Sequence, residues 1–103
     1  MKNAILFSKI DKEDFWVGGG LVFKVNNTDT YEDSYNEIKS KLETPDVINH
    51  IIEDNCLLAD LFKYDESFKF IKTRWNRGLY FIFENAEGYE LEYRMSADYV
   101  WVP

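Results

Sequence analysis

The feature that most constrains the fold is a change of hydrophobic period past the middle of the chain. Residues 67–70 and 89–95 alternate between apolar and polar, which is the two-residue period of half-buried strands, and residues 79–83 form a short aromatic and β-branched run of strand length. The segments between them, Asn-Arg-Gly (76–78) and Asn-Ala-Glu-Gly (85–88), are short and rich in residues that form hairpin turns. The pattern predicts three consecutive antiparallel strands, at residues 67–75, 79–83 and 89–95.

Two further strands are predicted near the N-terminus, at residues 3–10 and 21–26, and residues 99–102 are expected to extend the sheet or to pack beside it. Three glycines at 18–20 precede the second of these strands. A phosphate-binding loop would need Gly-Lys-Ser/Thr and then a helix, whereas β-branched and aromatic residues follow here. A hairpin turn or a bulge is therefore favoured at the glycines.

Between the two groups of strands the apolar residues follow a helical period. A first helix is predicted after the cap-forming residues 26–30, with an apolar stripe of Tyr31, Tyr35, Ile38 and Leu42. Thr44-Pro45-Asp46 is a helix start, with Thr44 expected to cap the helix, and it predicts a second helix that continues to Tyr64. The order ββααβββ predicts one α+β domain over residues 1–103, with two helices packed on one face of an antiparallel sheet.

The predicted second helix has two contrasting sides. At 100° per residue, an arc of about 140° holds the residues expected in the core: Val47, Ile48, Ile51, Ile52, Leu58, Ala59 and Phe62. Asn55 falls in the same arc, so its amide is expected to be buried and bonded to the backbone of a neighbouring element. The opposite side is acidic, with Leu57 projecting from its middle.

This acidic side is a candidate protein-contact surface. Carboxylates speed the approach of a basic partner and orient it, while an apolar anchor supplies affinity. The candidate contact residues, two of them on the first helix, are Asp46, His50, Glu53, Asp54, Leu57, Asp60, Tyr64, Asp33 and Glu37. A solvated helix surface with one exposed leucine is the alternative interpretation. Glu90 and Glu92 of the last strand are an alternative acidic surface.

The charge is unevenly distributed along the chain. The net charge is −7, and residues 29–66 carry eleven acidic and three basic residues. This balance argues against nucleic-acid binding, because phosphate contacts need Lys and Arg. A basic block interleaved with aromatic residues mimics a platform for single-stranded nucleic acid and comprises Lys69, Lys72, Arg74 and Arg77 with Phe68, Phe70 and Trp75. Pairing of these bases with the acidic helices is favoured instead.

No motif in the chain indicates catalysis, a cofactor or a metal. The single histidine, His50, and the single cysteine, Cys56, would project about 120° apart on one helix, so they make no catalytic dyad. Cys56 is expected in the core or at its edge. A zinc site needs about four N or S ligands, and Asp-Lys-Glu-Asp (11–14) lacks the spacing of a calcium loop. Pairs of carboxylates that meet in space stay open as a catalytic alternative.

A cytoplasmic protein is expected. One cysteine cannot form an internal disulfide, which fits a reducing compartment. The apolar run before Ser8 is too short for a signal peptide, and no segment has the length of a membrane span.

In its length, acidity, aromatic content of 17% and acidic helix "INHIIEDNCLLADLF" (48–62), the chain resembles the small acidic immunity proteins of contact-dependent inhibition and other polymorphic toxin systems of bacteria. The resemblance implies a non-enzymatic inhibitor that binds a cognate toxin domain, often a basic nuclease, and blocks its active site or substrate path.

Two other functions stay open. One is a phage or mobile-element inhibitor that mimics nucleic acid against a host defence enzyme. The other is a ligand-binding or enzymatic domain with a pocket lined by Trp16, Trp75 and Trp101. A homodimer formed through exposed aromatic side chains is also open.

Overall fold

The computed structural model describes residues 4–9, 21–26 and 30–100, with side chains described for residues 23–26 and 30–95. The strands in these ranges are β1 (Ala4–Lys9), β2 (Leu21–Lys24), β3 (Lys69–Trp75), β4 (Leu79–Glu84) and β5 (Glu90–Val100). The helices are α1 (Tyr31–Leu42), α2 (Pro45–Asp54) and α3 (Cys56–Tyr64). The predicted α+β class is confirmed, and the described ranges hold one more helix than the two that the sequence predicts.

The described strands form one antiparallel sheet in the order β2-β1-β5-β4-β3. The longest strand, β5, pairs with β4 at one end and with β1 at the other, so it joins the N-terminal hairpin to the C-terminal strands. The predicted extension of the sheet past residue 99 is confirmed as far as Val100. The glycines at 18–20 and the Asp-Lys-Glu-Asp segment lie outside the described residues.

Both predicted C-terminal hairpin turns are present. Between β3 and β4, Arg77 takes φ 55° and the Asn76 amide donates to the Gly78 carbonyl at 3.0 Å. Between β4 and β5, Gly88 takes φ 86° and donates to the Asn85 carbonyl at 3.1 Å. Positive φ is common for glycine and uncommon for arginine.

The starts of α1 and α2 lie where the sequence predicts them. The Thr30 hydroxyl caps α1 by accepting from the Asp33 amide at 3.1 Å. Pro45 occupies the first turn of α2. Thr44 precedes α2, but its hydroxyl donates to the Lys41 carbonyl at 2.9 Å and makes no cap bond. The expectation that the Thr44 side chain caps α2 is therefore wrong.

The predicted continuous helix from Asp46 to Tyr64 is also wrong, because it is broken at Asn55. Asn55 takes φ −120° and ψ 111°, and its side-chain oxygen accepts from the Leu58 amide at 3.0 Å. Asparagine readily caps a helix in this way because its side chain satisfies an amide that has no partner in the first turn. Asn55 thus starts α3, and it is not the buried core amide that the helical arc predicts.

The core lies between the three helices and one face of the sheet. Both predicted apolar stripes face it, although the second is divided between α2 and α3. The buried core residues are Val25, Tyr35, Ile38, Leu42, Ile48, Ile51, Leu58, Leu79, Phe81, Phe83 and Met95. Partly buried Val47, Ile52 and Phe62 pack against them. The other face of the C-terminal strands carries Ile82, which is buried but lies outside this cluster.

A polar network ties the helices to β3. The Thr73 amide and hydroxyl donate to the Glu43 carboxylate at 2.7 and 2.9 Å, and the Tyr35 and Thr73 hydroxyls are 2.9 Å apart. Glu43 ends α1, and β3 is an outer strand of the described sheet. Since the Thr73 amide bonds to Glu43, it points away from β4, and the carboxylate satisfies an edge amide that no strand pairs with.

Candidate protein-contact surface

The outward side of α3 exposes two large apolar residues. Leu57 is 82% exposed and Tyr64 is 90% exposed. They are seven residues apart and the exposed Asp60 lies between them, so the three side chains share an arc of about 60°. Leu58, on the opposite side of α3, is buried. The structure therefore places an apolar pair and a carboxylate on one outward helix face.

Both ends of α3 are held by side-chain hydrogen bonds. Asn55 caps its start, and Asp65 follows its last turn. The Asp65 carboxylate accepts from the Ser67 amide at 2.9 Å, from the Ser67 hydroxyl at 2.6 Å and from the Asn85 side chain at 3.2 Å. The Ser67 hydroxyl in turn accepts from the Ala86 amide at 3.0 Å. We call Asp65, Ser67 and Asn85 the clamp, because they join the end of α3 to the β4–β5 turn.

Hydrogen bonding favours the ionised form of Asp65. The Ser67 hydroxyl, followed by the Ser67 amide, lowers the pKa of the Asp65 carboxyl below its usual value of 3.8; the Asn85 side chain adds to this and burial opposes it. The clamp therefore depends on a carboxylate that is charged at neutral pH.

The predicted contact residues of α2 differ in exposure. Asp46, His50 and Glu53 are exposed, whereas Asp54 at the end of α2 is only half-exposed. Their positions along α2 place the three exposed side chains within about 60° of each other. Asp46, His50 and Glu53 therefore share one outward face of α2.

The two predicted contact residues of α1 are exposed, and Glu37 already has an intramolecular role. The Glu37 carboxylate accepts from the Asn26 amide at 3.0 and 3.2 Å and from the Asn26 side chain. This ties α1 to the segment that follows β2. Asp33 lies in the first turn of α1, where a carboxylate complements the helix dipole. Both acidic residues thus have a structural explanation besides the predicted contact.

The alternative acidic surface on β5 is partly compensated within the chain. Arg74 lies 3.1 Å from Glu92 and 4.0 Å from Glu90. These residues are on the face of the sheet opposite the core, and the Arg74–Glu92 pair crosses β4 diagonally, since Arg74 is opposite Tyr80 and Glu92 is opposite Ile82. The basic block was expected to pair with the acidic helices. For Arg74 this expectation is wrong, because the helices lie on the other face of the sheet.

The platform for single-stranded nucleic acid does not form. Phe68, Phe70 and Trp75 pack against the core, whereas Lys69 and Lys72 are exposed. Trp75 contacts Tyr31 and Tyr35, with ring centroids 6.2 and 6.0 Å apart. Bases could not stack on rings that already pack inside the protein.

The remaining candidates for a catalytic, metal or ligand site are Cys56, the possible metal ligands and the three tryptophans. Cys56 is exposed, so its predicted position in or near the core is wrong. The prediction assumed one continuous helix, whereas the break at Asn55 makes Cys56 the first residue of α3. Among the described residues, no group of His, Cys, Asp and Glu side chains is arranged to hold a metal ion. Trp75 packs against Tyr31 and Tyr35, while Trp16 and Trp101 lie outside the described residues.

Two exposed apolar residues were missed in the sequence. Ile71 is 51% exposed and Tyr89 is 67% exposed. The pairing of β3 with β4 shifts between Phe70 and Lys72, so Ile71 is an extra residue at a bulge. The aromatic alternation of this segment gives no sign of that shift. A signal for Tyr89 was present, since it directly follows the glycine that closes the predicted turn.

No helix in the described part of the chain combines the length and apolar character needed to cross a membrane. Comparison of the chain with models of known protein families, with curated proteins and with solved structures gives no match in any of the three.

Proposed function

We propose that this chain is a cytoplasmic immunity protein that binds and neutralises a cognate toxin domain, a basic nuclease, through the outward faces of α2 and α3. The observation that carries the proposal is the exposure of Leu57 and Tyr64 beside Asp60 on the outward face of α3, whose opposite side is buried at Leu58. An apolar pair of this kind on one helix face is suited to a hydrophobic recess on a partner.

The charges around this pair set the chemistry of the partner. Glu53, Asp60 and Asp46 are exposed on the same two helices, and the whole chain carries a net charge of −7. A surface that binds RNA or DNA is rich in Lys and Arg, so carboxylates presented here would occupy positions that phosphates otherwise take. Long-range attraction would raise the association rate, while Leu57 and Tyr64 would slow dissociation.

The proposal predicts that a basic toxin domain is encoded beside this gene. Its test is protection of cells that express that domain, together with binding of the purified domain at low and high salt. Asp60→Lys should reduce protection and weaken the salt dependence of association, because it reverses a charge between the two apolar anchors. Glu32→Lys is the matched control: it makes the same charge change at an exposed position of α1 outside the contact set. Leu57→Ala with Tyr64→Ala should raise the dissociation rate.

Full protection by the Asp60→Lys and Leu57→Ala/Tyr64→Ala variants would contradict the proposal. So would an equal loss of binding in Glu32→Lys and Asp60→Lys, since the effect would then follow net charge and not the surface of α3.

A further inference from the structure

The end of the molecule where α3 terminates brings together exposed apolar side chains from three elements. They are Tyr64 of α3, Ile71 of β3 and Tyr89 beyond the β4–β5 turn. With Leu57, these are the large apolar residues that are exposed in the described part of the chain. Three of the four therefore lie at one end, and only Leu57 lies elsewhere, on the first turn of α3.

The clamp links the chain segments that carry Tyr64 and Tyr89. Asp65 directly follows Tyr64 and bonds to Asn85 across the molecule. The Asn85 amide donates to the Tyr89 carbonyl at 3.0 Å, and the Tyr89 amide donates to the Asn85 side chain at 2.9 Å. Tyr64 is thus next to the clamp in the chain, and Tyr89 is bonded to it through Asn85.

An open groove of about 490 Å³ adjoins the clamp. Its lining combines two clamp residues, the bulged isoleucine, a pair of oppositely charged strand residues and an alanine of the β4–β5 turn: Ser67, Lys69, Ile71, Glu84, Asn85 and Ala86. Both strands that border it end here, and β3 is an outer strand of the described sheet. The groove is large enough for one or two side chains of a partner.

The charge around the groove indicates which partner fits. Glu66 and Glu87 are exposed beside the clamp, and Glu84 is exposed within the lining. Lys69 is the basic residue of the lining. This excess of carboxylates around an apolar wall complements an apolar side chain that has Arg or Lys beside it.

We propose that this groove receives an apolar side chain of the basic partner, with flanking cationic residues directed at Glu66, Glu84 and Glu87. The inference rests on the proposed function and extends its contact surface from α3 to the β4–β5 turn. Tyr64 belongs to both parts of the surface, and Ile71 and Tyr89 are added as contact residues.

The experiment uses the peptide acetyl-Arg-Leu-Arg-amide as the probe, titrated into the ¹⁵N-labelled full chain. The amides of Ser67, Ile71 and Ala86 should shift. The matched peptide acetyl-Glu-Leu-Glu-amide should bind roughly fivefold more weakly, the effect of about two exposed ion pairs, and acetyl-Arg-Gly-Arg-amide should also bind more weakly because it lacks the apolar side chain.

The variant Ile71→Asp should lose the shifts, and Ile71→Ala should reduce them; both change an exposed side chain, so circular dichroism should show an unchanged fold. Shifts that avoid the groove, or that are equal for the Arg and Glu peptides, would overturn the inference. Full toxin protection by Ile71→Asp would overturn it even if Asp60→Lys abolishes protection. The reverse result, protection lost by Ile71→Asp and kept by Asp60→Lys, would contradict the partner contact proposed for α3 and support the contact proposed for the groove.

Discussion

Asp65 is a charged residue that links the end of α3 to the β4–β5 turn, beside the proposed contact surface. Its carboxylate is bonded to Ser67 and Asn85, and these bonds hold its pKa below the usual value. A lowered folded-state pKa means that the stabilisation is fully present above the unfolded pKa, about 3.9, and is lost as the pH falls through the folded pKa. The clamp therefore stabilises the fold at neutral pH, and this stabilisation decreases as the pH falls below the unfolded pKa.

We expect Asp65→Asn to be less stable than the wild type at pH 7 and to lose less stability between pH 5 and pH 2. Urea unfolding at a series of pH values measures both effects. In Ser67→Ala, carboxyl titration by NMR should show the pKa of Asp65 moving up toward its usual value, because the largest cause of the shift is removed. Parallel stability curves for Asp65→Asn and the wild type would show that the carboxylate has no such role.

The break between α2 and α3 shows how one side chain changes an element. We expect Asn55→Ala to lower the free energy of unfolding by about 0.5–2 kcal/mol, the usual cost of losing an N-cap, because the Leu58 amide loses its acceptor. Asn55→Asp should retain most of the stability, since aspartate caps equally well. Thermal or urea unfolding, followed by circular dichroism, gives the comparison. An Asn55→Ala variant with higher helicity and unchanged stability would mean that α2 and α3 can fuse.

Strand β5 and helix α3 show how much of an element can be predicted from the sequence. The alternation of Leu91, Tyr93 and Met95 with charged residues predicts β5 correctly, because burial alone decides which face a strand residue takes. The helical period likewise predicts that Leu58 is buried. It does not predict the break at Asn55. The apolar period indicates only which residues are buried, whereas the break depends on whether the Asn55 side chain caps a new helix or the first helix continues.

The candidate surface was predictable to a similar extent. Exposure of Leu57 and Tyr64 follows from helical phase once the buried side of α3 is known. The groove was not predictable, because it depends on a bulge at Ile71 and on the contact of Asp65 with Asn85, twenty residues away. The ion pair between Arg74 and Glu92 was not predictable either, since it depends on the order of the strands in the sheet.

At the scale of the whole molecule, the helices and the sheet meet across an apolar core, and the network of Glu43, Thr73 and Tyr35 is a polar link between these two layers. Thr73 is only 3% exposed, so its amide and hydroxyl cannot exchange their partners for water. Removal of the carboxylate leaves buried donors unsatisfied, which costs more than the net value of the bonds themselves. The network thus specifies how the α1–α2 corner docks on the edge of the sheet.

We expect Glu43→Ala to lower the free energy of unfolding by about 1.5–3 kcal/mol and Tyr35→Phe by about 0.5–1.5 kcal/mol. The first change removes a charged acceptor of two hydrogen bonds, and the second removes one neutral hydroxyl. Because all three side chains share the network, the double variant should lose less than the two single losses combined. Urea unfolding of the four proteins closes this cycle. Full additivity would show that Tyr35 and Glu43 act independently, and an unchanged stability of Glu43→Ala would mean that the Thr73 amide finds another acceptor at the edge of β3.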